Sequence, residues 1–576
     1  MKFSTSPVLD LRLPAWRSRL LMLLFLSGFG ALGARAAYLQ GWNDDFLRAK
    51  GESRYSRVLE ITANRGRISD RNGEVLAIST PVKSIWATPD QIKFEGASLA
   101  QLTNLLEMPR EDIEKKIQST DKDFVYLKRQ VPPEVAERIA ELRIPGLFQS
   151  REYRRYYPGG EVMAHVLGFT GADDTGQEGI ELAFQEELAG KAGARRVIRD
   201  RRGQIVEDME SIKPAQDGHD LMLSMDARIQ SQAFTQLSAA METHHAKAAA
   251  VLVLDVTTGE VLAMVNLPSY NPNNRSKLVG AQLRNRALTD TFEPGSTMKP
   301  FTIALALEEG RVRPDTVIQT APGRLTIGKA TISDAHPLGA LSVAQIIQKS
   351  SNVGTSKIAM TLDREDMWDM FNRSGFGIVP SISFPGAVSG KIRPFKTWRP
   401  IEQVTMSYGY GLSVSLFQLA QGYTIFARDG ELVPISFVRN AGVTAGRKVI
   451  SAETARAVRA MLEAAAGPGG TAPRAQIMGY RVAGKTGTAH KVEGHGYAGH
   501  KYRASFVGFA PVSNPRLVVA VTIDEPSGGK YFGGDVAAPV FSKVMEGALR
   551  SLGVAPDAAM KPVEMPPEHQ RVEESI

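Results

Sequence analysis

At 576 residues the chain is long enough for more than one domain, and its 43% hydrophobic and 23% charged residues are the proportions of a folded protein. It contains no cysteine, which excludes disulfides, thiolate metal sites and cysteine nucleophiles and suits an oxidising compartment. The formal charge of +8 permits attraction to anionic envelope polymers or lipid, but no basic run or aromatic–basic alternation points to nucleic acid.

The first element is an uncharged run of 15 residues, Leu20 to Ala34, which reaches 20 residues when counted through Leu39. A bilayer core requires about 20. Arg35 can snorkel to the interface, and Trp16, Tyr38 and Trp42 flank the run as interfacial aromatics. Lys2, Arg12, Arg17 and Arg19 precede it, so residues 1–19 are expected in the cytoplasm and the remainder outside. The competing reading is a cleaved signal peptide at Ala34-Arg35-Ala36. Arginine at such a site, and a helical pattern that continues past it, favour an uncleaved anchor over 20–39.

Residues 44–224 form a separate module. Arg65 to Ala77 reads as strand, tight Asn72-Gly73 turn, strand. Helical patterns follow over Leu99–Leu106, Arg110–Gln118 and Pro133–Leu142. Tyr156-Tyr157-Pro158-Gly159-Gly160, Gly176 to Glu181 and the basic stretch Arg195 to Gly203 complete the module. It carries no nucleophile–base constellation, and its motifs read as turns and domain packing.

Residues 225–554 form the next module. It opens with a helix, Ala227 to Glu242, and a hairpin, Ala248–Asp255 with Val261–Val265. A second hairpin, Ala504–Phe509 with Leu517–Ile523, lies near its end, before a helix over Pro539–Leu552. Strands at both ends with helices between imply one antiparallel sheet assembled from distant segments and covered by helices. Residues 555–576 are rich in Pro and Glu and are expected to be disordered.

Three motifs carry chemistry. Pro294 and Gly295 break the chain before Ser296, and Phe301 to Leu307 is apolar nearly all round, so Ser296 and Lys299 share one face at the start of a buried helix. Gly310 is a plausible stop. A serine hydroxyl needs an adjacent base to act as a nucleophile, and a desolvated lysine can be that base. Ser350-Ser351-Asn352 is a polar break between helical patterns at Leu341–Lys349 and Val353–Leu362; alone, it is an ordinary helix cap. Lys485-Thr486-Gly487-Thr488 lies in a strand that Gly484 and Gly487 strip of side chains, which suits close approach of another backbone; alone, it is a weakened edge strand.

These motifs, in this order and 54 and 135 residues apart from Ser296 to Ser350 to Lys485, resemble the penicillin-binding serine acyltransferases, which include the serine β-lactamases. The N-terminal module resembles the pedestal, or dimerisation-type domain, of class B penicillin-binding proteins. Ser407-Tyr408-Gly409-Tyr410-Gly411-Leu412 resembles the division-specific members of that class. The resemblance implies an α/β transpeptidase domain of the serine β-lactamase type behind an α+β pedestal and a single transmembrane helix. It implies that Ser296 attacks the penultimate D-alanine carbonyl of a pentapeptide stem while Lys299 takes its proton. The Ser296 and Thr488 N–H groups then form the oxyanion hole. Ser350 relays a proton, Asn352 holds Lys299 and the substrate amide, and Lys485 supplies positive potential. Thr486, Gly487 and Thr488 belong to the subsite for the terminal carboxylate. It implies no metal or organic cofactor, inhibition by β-lactams, and an inner-membrane location at the septum with a periplasmic catalytic domain. The implied partners are a glycan polymerase of the FtsW type and other division proteins. The alternatives are an elongation-type transpeptidase, a β-lactamase, a D,D-carboxypeptidase, and a β-lactam sensor or non-catalytic scaffold. No Glu-x-x-Leu-Asn sequence lies between Asn352 and Lys485 to activate water; Glu365, Asp366, Asp369 and Glu402 read there as solvated charges or structural partners.

Overall fold

The computed structural model describes residues 14–42, 56–94, 97–118, 124–199, 205–493, 496–563, 565–567 and 572–575. Helix α1 (Ala15–Ala37) begins five residues before the expected span and so includes Arg17 and Arg19. One π turn, Tyr38–Trp42, follows it. Residues 15–41 have a mean hydropathy of 1.7, and protein buries none of the helix. By length and composition this helix can cross a membrane.

The pedestal holds two sheets. Strands β1 (Ser56–Ile61), β5 (Gly193–Arg199) and β6 (Ile205–Lys213) form an antiparallel set with β5 in the middle. In the other, the long β2 (Val75–Ala87) pairs with β3 (Val125–Val131), β4 (Leu147–Tyr156) and the short Ile68–Ser69 strand. Helices α2 (Ser98–Leu106), α3 (Arg110–Gln118) and α4 (Pro133–Glu141) match the expected patterns and bury Leu102, Leu106, Ile113 and Ile139 in one cluster. The turn before β2 is held by Asp70, whose carboxylate accepts from the N–H groups of Asn72 and Glu74. Asp70 also accepts from Ala227 N–H, and Asn72 donates to Asp226, so this turn docks the pedestal onto the next domain. The motif residues Arg65 and Glu181 form a buried triad with Arg155, next to the Tyr156 motif, in which both guanidinium groups donate to the one carboxylate at 2.6 Å. The packing role read from sequence is therefore what these motifs do.

The second domain is a five-stranded antiparallel sheet in the order β8-β7-β11-β10-β9. The strands are β7 (Ala248–Asp255), β8 (Val261–Leu267), β9 (Ala483–Glu493), β10 (Gly496–Ala510) and β11 (Leu517–Asp524). Both expected hairpins are present. Alternate residues of β7 feed two cores, because side chains of a strand point to opposite faces. Leu252 and Leu254 pack with α6 (Lys299–Glu308), α9 (Leu416–Ala427) and α10 (Ala452–Ala466). Val251 and Val253 pack with α5 (Ala227–Thr243) and α11 (Ala538–Ser551). Between α6 and α9 lie α7 (Val343–Lys349) and α8 (Asn352–Ala359). Two sequence boundaries shift: Ala340–Ser342 is a short strand ahead of α7, and α8 starts at Asn352. Strand β9 is the edge of the sheet, and its free side faces the serine turn.

Parts of the stretch expected to be disordered lie against the fold. Asp557 accepts from Arg481 N–H, and Met560 packs over Gly479. Glu574 and Ser575 are 5% and 4% exposed. Composition was a poor guide there because tertiary contacts supply what local hydrophobicity lacks.

Candidate active site

Ser296 sits in a single 3₁₀ turn, Gly295–Met298, that leads directly into α6. Pro300 is tolerated there because the N–H groups of a first helical turn have no intrahelical partner. Gly295 has φ of +56°, a conformation that favours glycine, and its N–H donates to Gly409 O at 3.2 Å. Thr297 Oγ1 donates to Pro294 O, and the buried Tyr423 hydroxyl donates to Thr297 O at 2.9 Å. The serine turn is thus held by Gly409 and Tyr423 from outside and by Thr297 from within. Helix α6 ends at Glu308, and Gly310 follows with φ of +66°, as the sequence suggested.

Lys299 is fully buried. Its ammonium nitrogen donates to Ser350 O at 2.5 Å and to Ser350 Oγ at 3.0 Å. Burial holds its pKa well below the usual lysine value, and the positive charge of Lys485 pushes the same way; Asp334 and Glu574 oppose them. Ser350 itself is buried at the C-terminus of α7 with φ of +60°, strained for a residue with a Cβ. Ser351 does what the plain reading of its motif required. Its Oγ caps α8 by accepting from Gly354 N–H, and it donates to Asp334 at 2.7 Å. Asp334 also accepts from Val353 N–H. Asn352 Nδ2 donates to Ser333 O, not to a partner on Lys299, and its Oδ1 is buried with no partner. A buried orphan acceptor beside a nucleophile is suited to receive a ligand N–H.

The third wall is the edge strand β9. Lys485 is fully buried, and burial lowers its pKa to about 8, with Glu574 opposing. Its Nζ lies 3.1 Å from Thr486 Oγ1, which in turn is 3.0 Å from Thr471 Oγ1. The Thr486 hydroxyl, expected on the substrate carboxylate, thus lies between Lys485 and Thr471. Thr488 is two residues along the same strand and faces the same way. Its Oγ1 accepts from Gly533 N–H at 2.9 Å and donates to a carboxylate, Glu574 Oε2, at 2.6 Å. Gly487 lets the strand and the serine turn meet: a Cβ there would lie 2.6 Å from Pro294 O and 3.0 Å from Thr297 Cγ2. A Cβ on Gly295 would likewise lie 3.3 Å from Thr488 O.

The fold thus gathers Ser296, Lys299, Ser350, Asn352, Lys485, Thr486, Gly487 and Thr488 at one cleft between the sheet edge and the helical layer. Asp334, Thr471, Tyr423 and Gly533 were not found from sequence. Each acts through a long-range contact that no local spacing signals. Two of the four acidic candidates for a water-activating base have ion-pair partners: Asp369 pairs with Arg373, and Glu402 with Arg393 and Arg399. A buried low-pKa amine beside a serine, facing a cation-bearing strand, can perform acyl transfer through the serine.

Comparison with known proteins bears on the same residues. Residues 249–546 match the penicillin binding protein transpeptidase domain, and residues 60–223 match the penicillin-binding protein dimerisation domain. The chain is 44% identical over 532 residues to the probable peptidoglycan D,D-transpeptidase PenA of Neisseria gonorrhoeae, covering 92% of this chain and 91% of that one. It is 41% identical over 550 residues to the peptidoglycan D,D-transpeptidase FtsI of Escherichia coli (strain K12), covering 94% and 93%. A solved transpeptidase domain of penicillin-binding protein 3 from Burkholderia pseudomallei matches with 52% identity and a TM-score of 0.54, over 58% of this chain and 98% of that one. A peptidoglycan synthetase from Bifidobacterium adolescentis, at 24% identity, shares the fold over 88% of this chain and 99% of that one with a TM-score of 0.69. Two matched domains in this order, on a chain with an N-terminal anchor helix and the three motifs at one cleft, leave one conclusion: the chain belongs to the penicillin-binding protein family, as a class B transpeptidase.

Proposed function

We propose that this transpeptidase cross-links peptidoglycan stem peptides during septum synthesis, through an acyl-enzyme on Ser296 and with release of D-alanine. The observation that carries this reading is Lys299, buried, depressed in pKa and bound to Ser350, on the same turn as Ser296. Neutral Lys299 takes the Ser296 proton as the hydroxyl attacks the penultimate D-alanine carbonyl. Ser350 then passes a proton to the departing D-alanine. Thr488 binds the terminal carboxylate in the field of Lys485, and the N–H groups of Ser296 and Thr488 take the oxyanion. Asn352 offers its free Oδ1 to the stem amide. An amine from a neighbouring stem resolves the acyl-enzyme. A β-lactam enters by the same attack. In this reading the N-terminal helix is an uncleaved anchor with the catalytic domain on its periplasmic side, where an FtsW-type polymerase and other division proteins supply nascent glycan.

The septal assignment draws on the Tyr408-Gly409-Tyr410-Gly411 segment. Gly409 lies against Gly295, and Tyr410 donates to Thr488 O at 3.4 Å, so this segment backs both the serine turn and the edge strand. The test is in vitro cross-linking with lipid-linked glycan precursor and a polymerase partner. Cross-linked dimers from the wild-type chain and none from Ser296→Ala support the reading. Hydrolysed stems with no dimers assign a carboxypeptidase, and penicillin labelling without either product assigns a sensor.

A further inference from the structure

The acylation cleft is occupied by the chain itself. Residues 572–575, Val-Glu-Glu-Ser, lie between its two walls. On the sheet side, Thr488 Oγ1 donates to Glu574 Oε2 at 2.6 Å. On the helical side, Ala335 N–H donates to Ser575 Oγ at 3.1 Å, and His336 Nε2 lies 3.0 Å from Glu573 Oε2. Ala335 directly follows Asp334, which holds Ser351 and Val353, so the segment reaches the support of the Ser350 motif. We propose that this acidic segment is a tethered competitor that fills the carboxylate subsite of the cleft until a stem peptide or β-lactam displaces it. The proposal rests on the reading of Thr488 as the group that binds the substrate carboxylate.

The chemistry of the occupant fits the site. A subsite with a hydroxyl donor and two buried lysines selects a carboxylate, and Glu574 brings one whose charge acts on both Lys299 and Lys485. It is also inert to the nucleophile: a side-chain carboxylate has no leaving group for Ser296 to expel. The fit is incomplete in ways that make the segment displaceable. Glu574 Oε1 is buried without a hydrogen-bond partner, which costs desolvation. A cavity of about 220 Å³, lined by Thr471, Arg474 and Asp535, remains open beside Val572, Glu573 and Glu574. A stem peptide that uses both carboxylate oxygens and Asn352 Oδ1 makes contacts the segment leaves unmade. Tethering offsets this weakness, since an intramolecular segment competes at an effective concentration on the order of millimolar.

The experiment compares the detergent-solubilised full chain with a chain ended after Pro567 and with Glu574→Gln, following acylation by a fluorescent penicillin. If the cleft is open one third of the time, removing the competitor raises the second-order labelling rate about threefold. The truncated chain should reach that gain, and Glu574→Gln should approach it. The peptide Val572–Ser575, capped at both ends, should slow the truncated chain in competition with penicillin. Equal or slower labelling of the truncated chain, at an unchanged melting temperature, overturns the proposal. That outcome is distinct from failure of the acyl-enzyme reading of Ser296, in which no form would label at all.

Discussion

Gly487→Ala tests whether the distance between the edge strand and the serine turn sets the rate. An added Cβ would lie 2.6 Å from Pro294 O and from Ser505 Oγ, and 3.0 Å from Thr297 Cγ2. Reaching the 3.4 Å of ordinary contact requires a shift of about 0.8 Å. The Ser505 hydroxyl can turn aside, but Pro294 O is backbone in a turn already held by Tyr423 and Gly409. The strand must therefore move, taking Thr488 and its N–H away from Ser296. Misplacement on the order of 1 Å costs about 10²-fold in rate, or ~2.7 kcal/mol of barrier. Overpacking destabilises by about 1–3 kcal/mol, which lowers Tm by roughly 2–4 °C per kcal/mol in a domain of this size. Stopped-flow acylation by a fluorescent penicillin, with a melting curve on the same sample, separates the two effects. Gly499→Ala, on neighbouring β10 with nothing within 4 Å of its added Cβ, is the control. A folded Gly487→Ala protein that acylates at the wild-type rate refutes the argument.

Ser296→Ala should abolish penicillin labelling, and Lys299→Ala should slow acylation by about 10²–10⁴-fold; wild-type-like acylation of the latter removes lysine from the role of base. Because acylation needs Lys485 charged and its pKa lies at about 8, the alkaline limb of the acylation rate should fall near pH 8, far below the 10.5 of an ordinary lysine. Between those values the unfolded chain binds more protons at this residue than the native one, so this group makes stability rise with pH across the window. A limb near pH 10 in a pH–rate profile would contradict both statements. N-terminal sequencing of the mature protein should find residues 1–34 retained; a new N-terminus near Ala36 would show a signal peptide. With no Glu-x-x-Leu-Asn sequence between Asn352 and Lys485 to activate water, the penicillin adduct should persist in intact-mass spectra long after free drug is removed, and its loss within seconds would mark a β-lactamase.

The sheet hairpins and the three motifs were legible because each depends on residues close in sequence: alternation for the strands, i to i+3 spacing for Ser296 and Lys299, glycine for the strand that approaches them. The supports of the site were not. Asp334 is buried beneath Ser351 from a short strand region, and Thr471 reaches Thr486 from the segment after α10; neither has a local pattern that distinguishes it from a turn residue. Thr486 shows the limit of motif reasoning. A resemblance assigns its hydroxyl a role, whereas its partners here, Lys485 and Thr471, come from contacts that no local spacing signals. The segment 572–575 shows the complementary limit: acidic composition argues against a core, yet two carboxylates and a serine can be placed where a cleft supplies donors.

The site places two lysines out of water in one cleft, and the structure distinguishes their roles. Desolvation lowers both, and each cation opposes the other, so the arrangement favours losing one proton first. Lys299 carries the burden of Lys485 in addition to burial and is held well below its ordinary value, while Lys485 stands at about 8. A neutral amine has two N–H groups and one lone pair. The two contacts of Lys299, to the carbonyl and hydroxyl of Ser350, engage both N–H groups and leave the lone pair for the serine proton. Ser350 makes both contacts from a backbone at φ of +60°, with its carbonyl and its side chain on the same amine. The strain at Ser350 and the buried amine are thus one device: the first orients the second, and the double-faced sheet core bears the cost of both.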